Sequence, residues 1–167
     1  MSYKQTVRLS IILMALFPTL WGLFSFMNNT SGFAGTAQYA VAPLLSMSDT
    51  YGNPAQTWRA ITSPMAANIF LAIITAVETL AGLLGLWSIF KLLKAFKDTP
   101  KAFEDAKSPL VLSCVLAILV WGVGFAVIAG DYFLAWQSKT TLATQIGGLI
   151  YAIPCFLTLI LAVIHKE

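Results

Sequence analysis

One acidic residue, Glu78, stands in the middle of a long apolar stretch, residues 65–90. A carboxylate at the centre of a bilayer costs about 3 kcal/mol on insertion scales and usually faces the interior of a helix bundle, where it can bind a proton or cation or fasten helices together. Thr75, Gly82 and Gly85 recur around it at helical spacing. This spacing puts Glu78 on a face of small residues that another helix can approach closely.

Other polar groups fall at the same depth when residues are counted from the ends of the apolar stretches. These groups are Trp121, Tyr151, Pro18 and Pro154. A proline inside a helix leaves the carbonyl four residues earlier without its donor, which here frees Met14 and Ile150. We therefore expect an intramembrane polar site in which Glu78 shares one layer with the indole, the phenol and the two freed carbonyls.

Two interpretations of Glu78 remain open from the sequence. The carboxylate can be a fastener between helices, or it can be a proton or cation site. Intramembrane proton relays usually use several ionisable groups, whereas the apolar stretches of this chain contain one acid. That contrast favours the fastener.

A second cluster of candidate residues lies in the two loops at one end of the apolar stretches. It consists of Trp58, Arg59, Asp131, Trp136 and Gln137. Arg59 and Asp131 have opposite charges, so we expect an ion pair that joins the loops. The cluster is then either a latch or a docking or ligand surface, and the latch is favoured because a rim ion pair seldom marks chemistry by itself.

Four apolar stretches must position these residues: 9–27, 65–90, 110–130 and 143–164. Each is close to the roughly 20 residues that a membrane helix needs, and none shows the alternation of a membrane β-strand. Charged residues make up 10% of the chain, whereas soluble domains contain about 25%. The sequence predicts an all-α membrane protein, a single transmembrane domain (1–167) folded as a four-transmembrane-helix bundle.

The basic residues predict the orientation of this bundle. Of the ten Lys and Arg residues, two lie in the loops 28–64 and 131–142, namely Arg59 and Lys139, so the other eight lie in the N-terminus, the loop 91–109 and the C-terminal tail. Positive residues accumulate on the cytoplasmic side. We expect both termini and the loop 91–109 in the cytoplasm, and the other two loops outside.

The long outer loop should contain some structure of its own. Asn53 followed by Pro54 is a good helix start, because Asn caps a helix and Pro at the first helical position loses no hydrogen bond. We expect a short interfacial helix at about 54–62.

Several function classes are disfavoured by the residues present. The single histidine, His165, is close to the end, and the two cysteines, Cys114 and Cys155, lie in apolar stretches. This supply suits neither a metal site nor a nucleophile–base pair, and no phosphate-binding glycine loop is present. We expect no enzyme activity, no catalytic residues, no metal and no cofactor. The net charge of +3 is explained by the orienting lysines, so we expect no nucleic-acid partner.

Two outer segments resemble a family of bacterial predicted small integral membrane proteins, DUF2165. They are residues 47–64, which contain Trp58-Arg59-Ala60-Ile61 and are followed by Glu78, and residues 129–138, which end in Trp136-Gln137-Ser138. The resemblance covers nearly the whole chain. It implies a multi-pass protein of the bacterial inner (cytoplasmic) membrane, and it brings no known activity.

Three functions are compatible with these features. The first is a non-enzymatic interaction protein, an accessory subunit or modulator of a larger membrane complex, whose partner besides the lipid bilayer is another membrane protein or a second copy of the chain. The second is an immunity protein that protects the inner membrane from a toxin. The third is a small transporter or channel component that uses Glu78.

Overall fold

The computed structural model describes residues 1–166, which contain helices and no strand. Four of these helices are long and apolar enough to cross a membrane: Tyr3–Ser31 (span 1), Pro64–Lys94 (span 2), Pro100–Tyr132 (span 3) and Leu142–Ile164 (span 4). The predicted all-α fold with four candidate membrane-spanning helices is confirmed. Arg8 near the start of the chain and His165 near its end both contact the segment around spans 2 and 3 where these two spans are joined. Both termini therefore lie at one end of the bundle, which we call the terminal end.

Span 1 consists of two helices, α1 (Tyr3–Met14) and α2 (Leu16–Ser31), that meet at Ala15. The junction lies three residues before Pro18, which cannot donate to the carbonyl of Met14. The lid follows, and we define it as residues 32–63. It contains α3 (Phe33–Thr36), a π-helical turn (Ala37–Val41), α4 (Ala42–Ser46) and α5 (Pro54–Thr57).

Spans 2 and 4 are continuous helices, α6 (Pro64–Lys94) and α9 (Leu142–Ile164). Span 3 is composite. It starts as α7 (Pro100–Ala106) and α8 (Ser108–Ile118) and continues as a π-helical segment, Leu119–Tyr132, before a 3₁₀ turn at Ala135–Gln137. The end of the bundle that carries the lid and residues 133–141 is called the lid end.

Local side-chain bonds set helix ends that differ from the predicted ones. Thr30 and Ser31 donate from their hydroxyls to carbonyls four residues earlier, and α2 runs to Ser31 instead of Met27. Asn53 caps α5 as expected, accepting from the backbone N–H of Ala55 at 3.0 Å. The interfacial helix ends at Thr57 rather than near residue 62, because the N–H of Ile61 turns away to the carbonyl of Leu45 at 2.8 Å.

Glycines set the distances between spans. A Cβ added at Gly22 would overlap the carbonyl of Glu78 and would lie 2.5 Å from the nitrogen of Gly82, so spans 1 and 2 touch backbone to backbone. Gly148 allows the same close approach between spans 4 and 3, since a Cβ added to it would lie 2.5 Å from the carbonyl oxygen of Trp121. These crossings bring the middle of the bundle close together.

Two buried cations hold the terminal end. The Arg8 guanidinium nitrogen Nη1 lies 3.0, 2.8 and 2.9 Å from the carbonyl oxygens of Ala95, Phe96 and Asp98, where span 2 ends. Lys107 reaches from span 3 to the carbonyl of His165 at 2.6 Å. Cations at a helix C-terminus satisfy carbonyls that have no partner within the helix. Arg8 is therefore a packing element as well as a candidate orientation signal.

Candidate functional site

Glu78 lies near the middle of span 2, and only 3% of its surface is exposed. Its Oε1 accepts a hydrogen bond from the indole Nε1 of Trp121 at 2.9 Å. Its Oε2 accepts from the amide Nδ2 of Asn29 at 3.0 Å. One carboxylate thus connects spans 1, 2 and 3.

The contact between spans 1 and 2 explains why Asn29 reaches this carboxylate. Asn29 follows Gly22 by seven residues, or about two helical turns, so both face span 2. Ser25 lies between them and is a further polar neighbour of Glu78. Because Gly22 lies against the backbone of Glu78 and Gly82, the same close crossing carries the amide to the carboxylate.

Trp121 is held in place by aromatic neighbours from two other spans. Its ring centroid lies 5.9 Å from that of Trp21 and 5.6 Å from that of Tyr151, in edge-to-face arrangements. Trp21 and Tyr151 are themselves 4.7 Å apart. Edge-to-face contacts fix the orientation of the indole, and so its N–H points at Glu78.

The predicted polar layer is assembled only in part. Glu78 and Trp121 meet directly, and Tyr151 joins through its ring. Within residues 1–166, Glu78 bonds to the side chains of Asn29 and Trp121 and not to the carbonyls freed by Pro18 and Pro154. The carbonyl of Met14 instead lies 3.3 Å from the hydroxyl of Thr158, which bonds within its own span as well. A hydroxyl from span 4 takes the role expected of the acid.

Asn29 was not predicted as a site residue, because the apolar stretch ends at residue 27 and leaves it in the outer loop. Two sequence signals point to it. It lies two turns after Gly22, and it is followed by Thr30 and Ser31, whose hydroxyls extend the helix past the apolar stretch. An apolar count alone ends span 1 too early.

At the lid end, an exposed carboxylate ties the lid to the loop between spans 3 and 4. One oxygen of Asp49 lies 3.0 Å from the backbone N–H and from the hydroxyl of Thr140, and 3.0 Å from the hydroxyl of Ser138. The backbone bond from Thr140 and the hydroxyl bonds from Ser138 and Thr140 hold the pKa of Asp49 below its usual value of 3.8. We call these contacts of Asp49 with Ser138 and Thr140 the Asp49 latch. None of the three residues was predicted to belong to the site.

Gln137 provides a second link between the lid and the loop that joins spans 3 and 4. Its Oε1 accepts from the backbone N–H of Tyr51 at 3.2 Å, and its Nε2 lies 3.5 Å from the Oε1 of Gln56. Gln137 is buried although it lies in a loop. The structure thus brings this predicted residue into a lid contact.

The expected ion pair between Arg59 and Asp131 is wrong in its chemistry. Arg59 lies 3.4 Å from the main-chain oxygen of Asp131 and 5.0 Å from the ring centroid of Tyr132. Within residues 1–166 no ion pair joins the two side chains. Asp131 is exposed, and an ion pair between exposed side chains contributes little stability compared with their hydration. The contact with the ring of Tyr132 therefore sets the position of Arg59.

Large exposed aromatic side chains lie where the lid meets the loop between spans 3 and 4. Trp58 is 76% exposed and Tyr51 74%, and Trp136 packs edge-to-face on Tyr51 with centroids 5.9 Å apart. Together with Arg59 and Tyr132 these residues form what we call the lid face. Asp49 and Gln137 fasten the lid to the loop between spans 3 and 4.

A family model described as predicted small integral membrane protein matches residues 7–165. The chain belongs to this family, DUF2165. No curated protein and no solved structure matches it. The matched range of this DUF2165 protein contains both the Glu78 site and the lid face. The family description names no reaction, so the geometry of the two sites must carry any functional argument.

Among residues 1–166 of this DUF2165 protein, no group of three or more His, Cys, Asp and Glu side chains could hold a metal ion. Cys114 and Cys155 are buried thiols within spans 3 and 4. The Glu78 site can fasten three helices, or exchange one of its N–H donors for a proton or cation. The lid face can contact a lipid headgroup region or another protein.

Proposed function

We propose that this protein is a non-enzymatic accessory subunit or modulator of a larger complex in the bacterial inner membrane, and that it contacts its partner through the lid face. The observation that supports this is the exposure of Trp58 and Tyr51 on a segment that Asp49 and Gln137 fasten to the loop between spans 3 and 4. Tryptophan, tyrosine and arginine are enriched among the residues that dominate binding energy in interfaces. Aromatic side chains on a fixed backbone lose little conformational entropy when they bind.

The orientation we propose places both termini in the cytoplasm and the lid face outside, following the distribution of basic residues. Lys97 and Lys139 are exposed at opposite ends of the bundle, and the two native cysteines are buried. Single Lys97→Cys and Lys139→Cys variants therefore form a matched pair. In intact spheroplasts, a membrane-impermeant maleimide should label the cysteine at 139 and not that at 97. The reverse pattern would overturn the orientation.

The interaction itself is tested by photo-crosslinking in native membranes. A benzophenone amino acid is placed at Trp58 in one variant and at Tyr3 in another. Tyr3 is a matched control, because it is also an exposed aromatic residue (85%) but lies at the terminal end. We expect a discrete protein adduct from position 58 and none from position 3. Adducts with lipid alone from both positions would contradict the proposal.

A second candidate function, transport through Glu78, is favoured by one observation. Asn29, which donates to the carboxylate, also lines an apolar cavity, so this cavity reaches a group that contacts Glu78. Glu78→Gln should then abolish proton or cation flux in proteoliposomes while the helical content stays unchanged. Flux that is absent in the wild type, or unchanged in the variant, would dispose of transport through Glu78.

The immunity hypothesis uses the same lid face, since a toxin arriving from outside would meet it first in the proposed orientation. It differs in the identity of the partner. An adduct from position 58 that forms only when a toxin is added would favour immunity, whereas an adduct with a resident membrane protein favours the accessory role.

A further inference from the structure

An apolar cavity of about 440 Å³ lies between spans 2 and 3 and the lid. Its volume is in the range of small-molecule sites, which are about 300–1,000 Å³. Of the side chains that line it, only Asn29, Thr36 and Thr144 are polar. A space of this size and composition suits a hydrocarbon chain.

The cavity is bordered by the two π-helical segments that the structure shows within residues 1–166. Ala40 and Val41 come from the segment Ala37–Val41, and several lining residues, Gly124 among them, come from the segment Leu119–Tyr132. π-Helical turns are rare in proteins and occur frequently at functional sites. Here two π-helical segments meet at one cavity. Close packing of regular α-helices does not require such an arrangement.

The opening of the cavity faces the outer surface of the spans. Ile73, Leu119 and Ile128 line the cavity and are also about half exposed, at 57%, 50% and 46%. The floor is closed by buried side chains, including Leu71 and Phe133. Because the mouth lies within membrane-spanning helices, a ligand enters from the bilayer, where phospholipid acyl chains are the most concentrated apolar groups.

The polar lining residues set a direction for such a ligand. Thr36 lies in the lid, and Thr144 lies two residues from the start of span 4, so both are near the lid end. Phospholipids at this end have their headgroups in the same plane. We propose that the cavity binds one acyl chain of a membrane phospholipid, whose headgroup emerges at the lid end. This inference is independent of the proposed accessory function.

Two glycines supply a matched pair of variants. A Cβ on Gly124 makes only an ordinary contact, 3.6 Å from the carbonyl of Leu119, and Gly124 lines the cavity. A Cβ on Gly147 meets no atom within 4 Å, and Gly147 is not part of the lining. Gly124→Phe should therefore fill the cavity, while Gly147→Phe adds the same ring elsewhere. Ala40→Phe fills the cavity from the lid side.

The experiment is native mass spectrometry of delipidated protein released from detergent, with palmitoyl-oleoyl phosphatidylethanolamine added as the probe. We expect a one-lipid adduct that survives activation in the wild type and in Gly147→Phe. The adduct should be lost in Gly124→Phe and in Ala40→Phe, whose folding is checked by circular dichroism.

Three results would overturn the proposal. The first is the absence of an activation-resistant lipid adduct in the wild type, which would reject the proposal whatever the variants show. The second is equal retention by the wild type and by a folded cavity-filling variant. The third is displacement of the phospholipid by an isoprenoid quinone added at equal concentration, which would assign the cavity to a different lipid.

Discussion

The indole N–H of Trp121 donates to Glu78 over 2.9 Å, and neither residue exposes more than 3% of its surface. This bond joins span 3 to span 2 across the buried middle of the bundle. The second oxygen of the carboxylate is held from span 1 by Asn29. Three spans thus depend on one side chain.

Glu78→Gln should be tolerated better than Glu78→Leu. The glutamine keeps an oxygen for the Trp121 N–H, and a flipped Asn29 amide can accept from its new NH₂ group. Glu78→Leu leaves both donors without an acceptor, and we expect it to lower the free energy of unfolding by roughly 2 kcal/mol, against under about 1 kcal/mol for Glu78→Gln. Steric-trapping measurements in bicelles test this. Equal stability of the leucine variant and the wild type would contradict the fastener.

Gly22→Ala should destabilise the bundle much more than Gly147→Ala. The new Cβ at 22 would overlap backbone atoms of span 2, whereas that at 147 meets open space. We expect Gly22→Ala to cost about 1–3 kcal/mol, as overpacking does. Gly147→Ala should be neutral or slightly stabilising, since alanine is the better helix former. The thermal unfolding midpoint in detergent compares the two. A pair of equal midpoints would show that spans 1 and 2 separate easily.

The Asp49 latch should weaken only in acid. The folded-state pKa of Asp49 is lowered from 3.8 by hydrogen bonds from Thr140 and Ser138. A lowered pKa contributes stability that is present above the unfolded value and is lost as the pH falls through the folded one. The latch should therefore keep its full strength above about pH 4 and should weaken as the pH falls through the folded-state pKa, which lies below 3.8. The amide proton shift of Thr140 should titrate with a midpoint below 3.8.

Asp49→Asn is the control for this titration, because its amide oxygen still accepts from Thr140 but does not titrate in this range. The Thr140 shift should then be flat across the same pH values. A wild-type midpoint at or above 3.8 would show that the hydrogen bonds to Asp49 are absent in solution.

Arg8→Lys should destabilise the protein although it keeps the charge. One guanidinium nitrogen reaches three carbonyls at the end of span 2, and the guanidinium carbon lies 4.5 Å from the ring centroid of Phe103. The ammonium of lysine is a compact point charge that cannot stack on this ring as a planar guanidinium does. We expect a loss of roughly 1–3 kcal/mol in the free energy of unfolding. Lys97→Arg, an exposed change in the reverse sense, is the control and should have no effect. Because the charge is kept, impermeant-maleimide labelling should show an unchanged orientation.

The fold was largely predictable because hydropathy and length depend only on local composition. The four spans follow from apolar stretches, and the α5 cap follows from Asn53-Pro54. Helix ends were less predictable, since they depend on hydroxyl bonds such as that of Ser31 and on a long-range bond from Ile61 to Leu45. The π-helical course of residues 119–132 has no signal in the periodicity of its apolar residues.

The candidate site was predictable only as far as depth determines contact. Counting residues placed Trp121 level with Glu78, and the two do bond. Depth does not determine which face of a helix a residue lies on. The prediction therefore failed for the freed carbonyl of Met14, which accepts from the hydroxyl of Thr158 and not from Glu78. The charge rule paired Arg59 with Asp131, but the guanidinium instead contacts a main-chain oxygen and a tyrosine ring.

The two donors to Glu78 differ in when the ribosome makes them. Asn29 precedes Glu78 by 49 residues, and Trp121 follows it by 43. Since synthesis runs from the N-terminus, the span that carries the acid is made before the span that carries Trp121. The close crossing at Gly22 and Gly82 needs only spans 1 and 2, so these two spans can pair at once and supply Asn29 as the first partner. The order of residues along the chain thus shelters the carboxylate from lipid until the third span arrives.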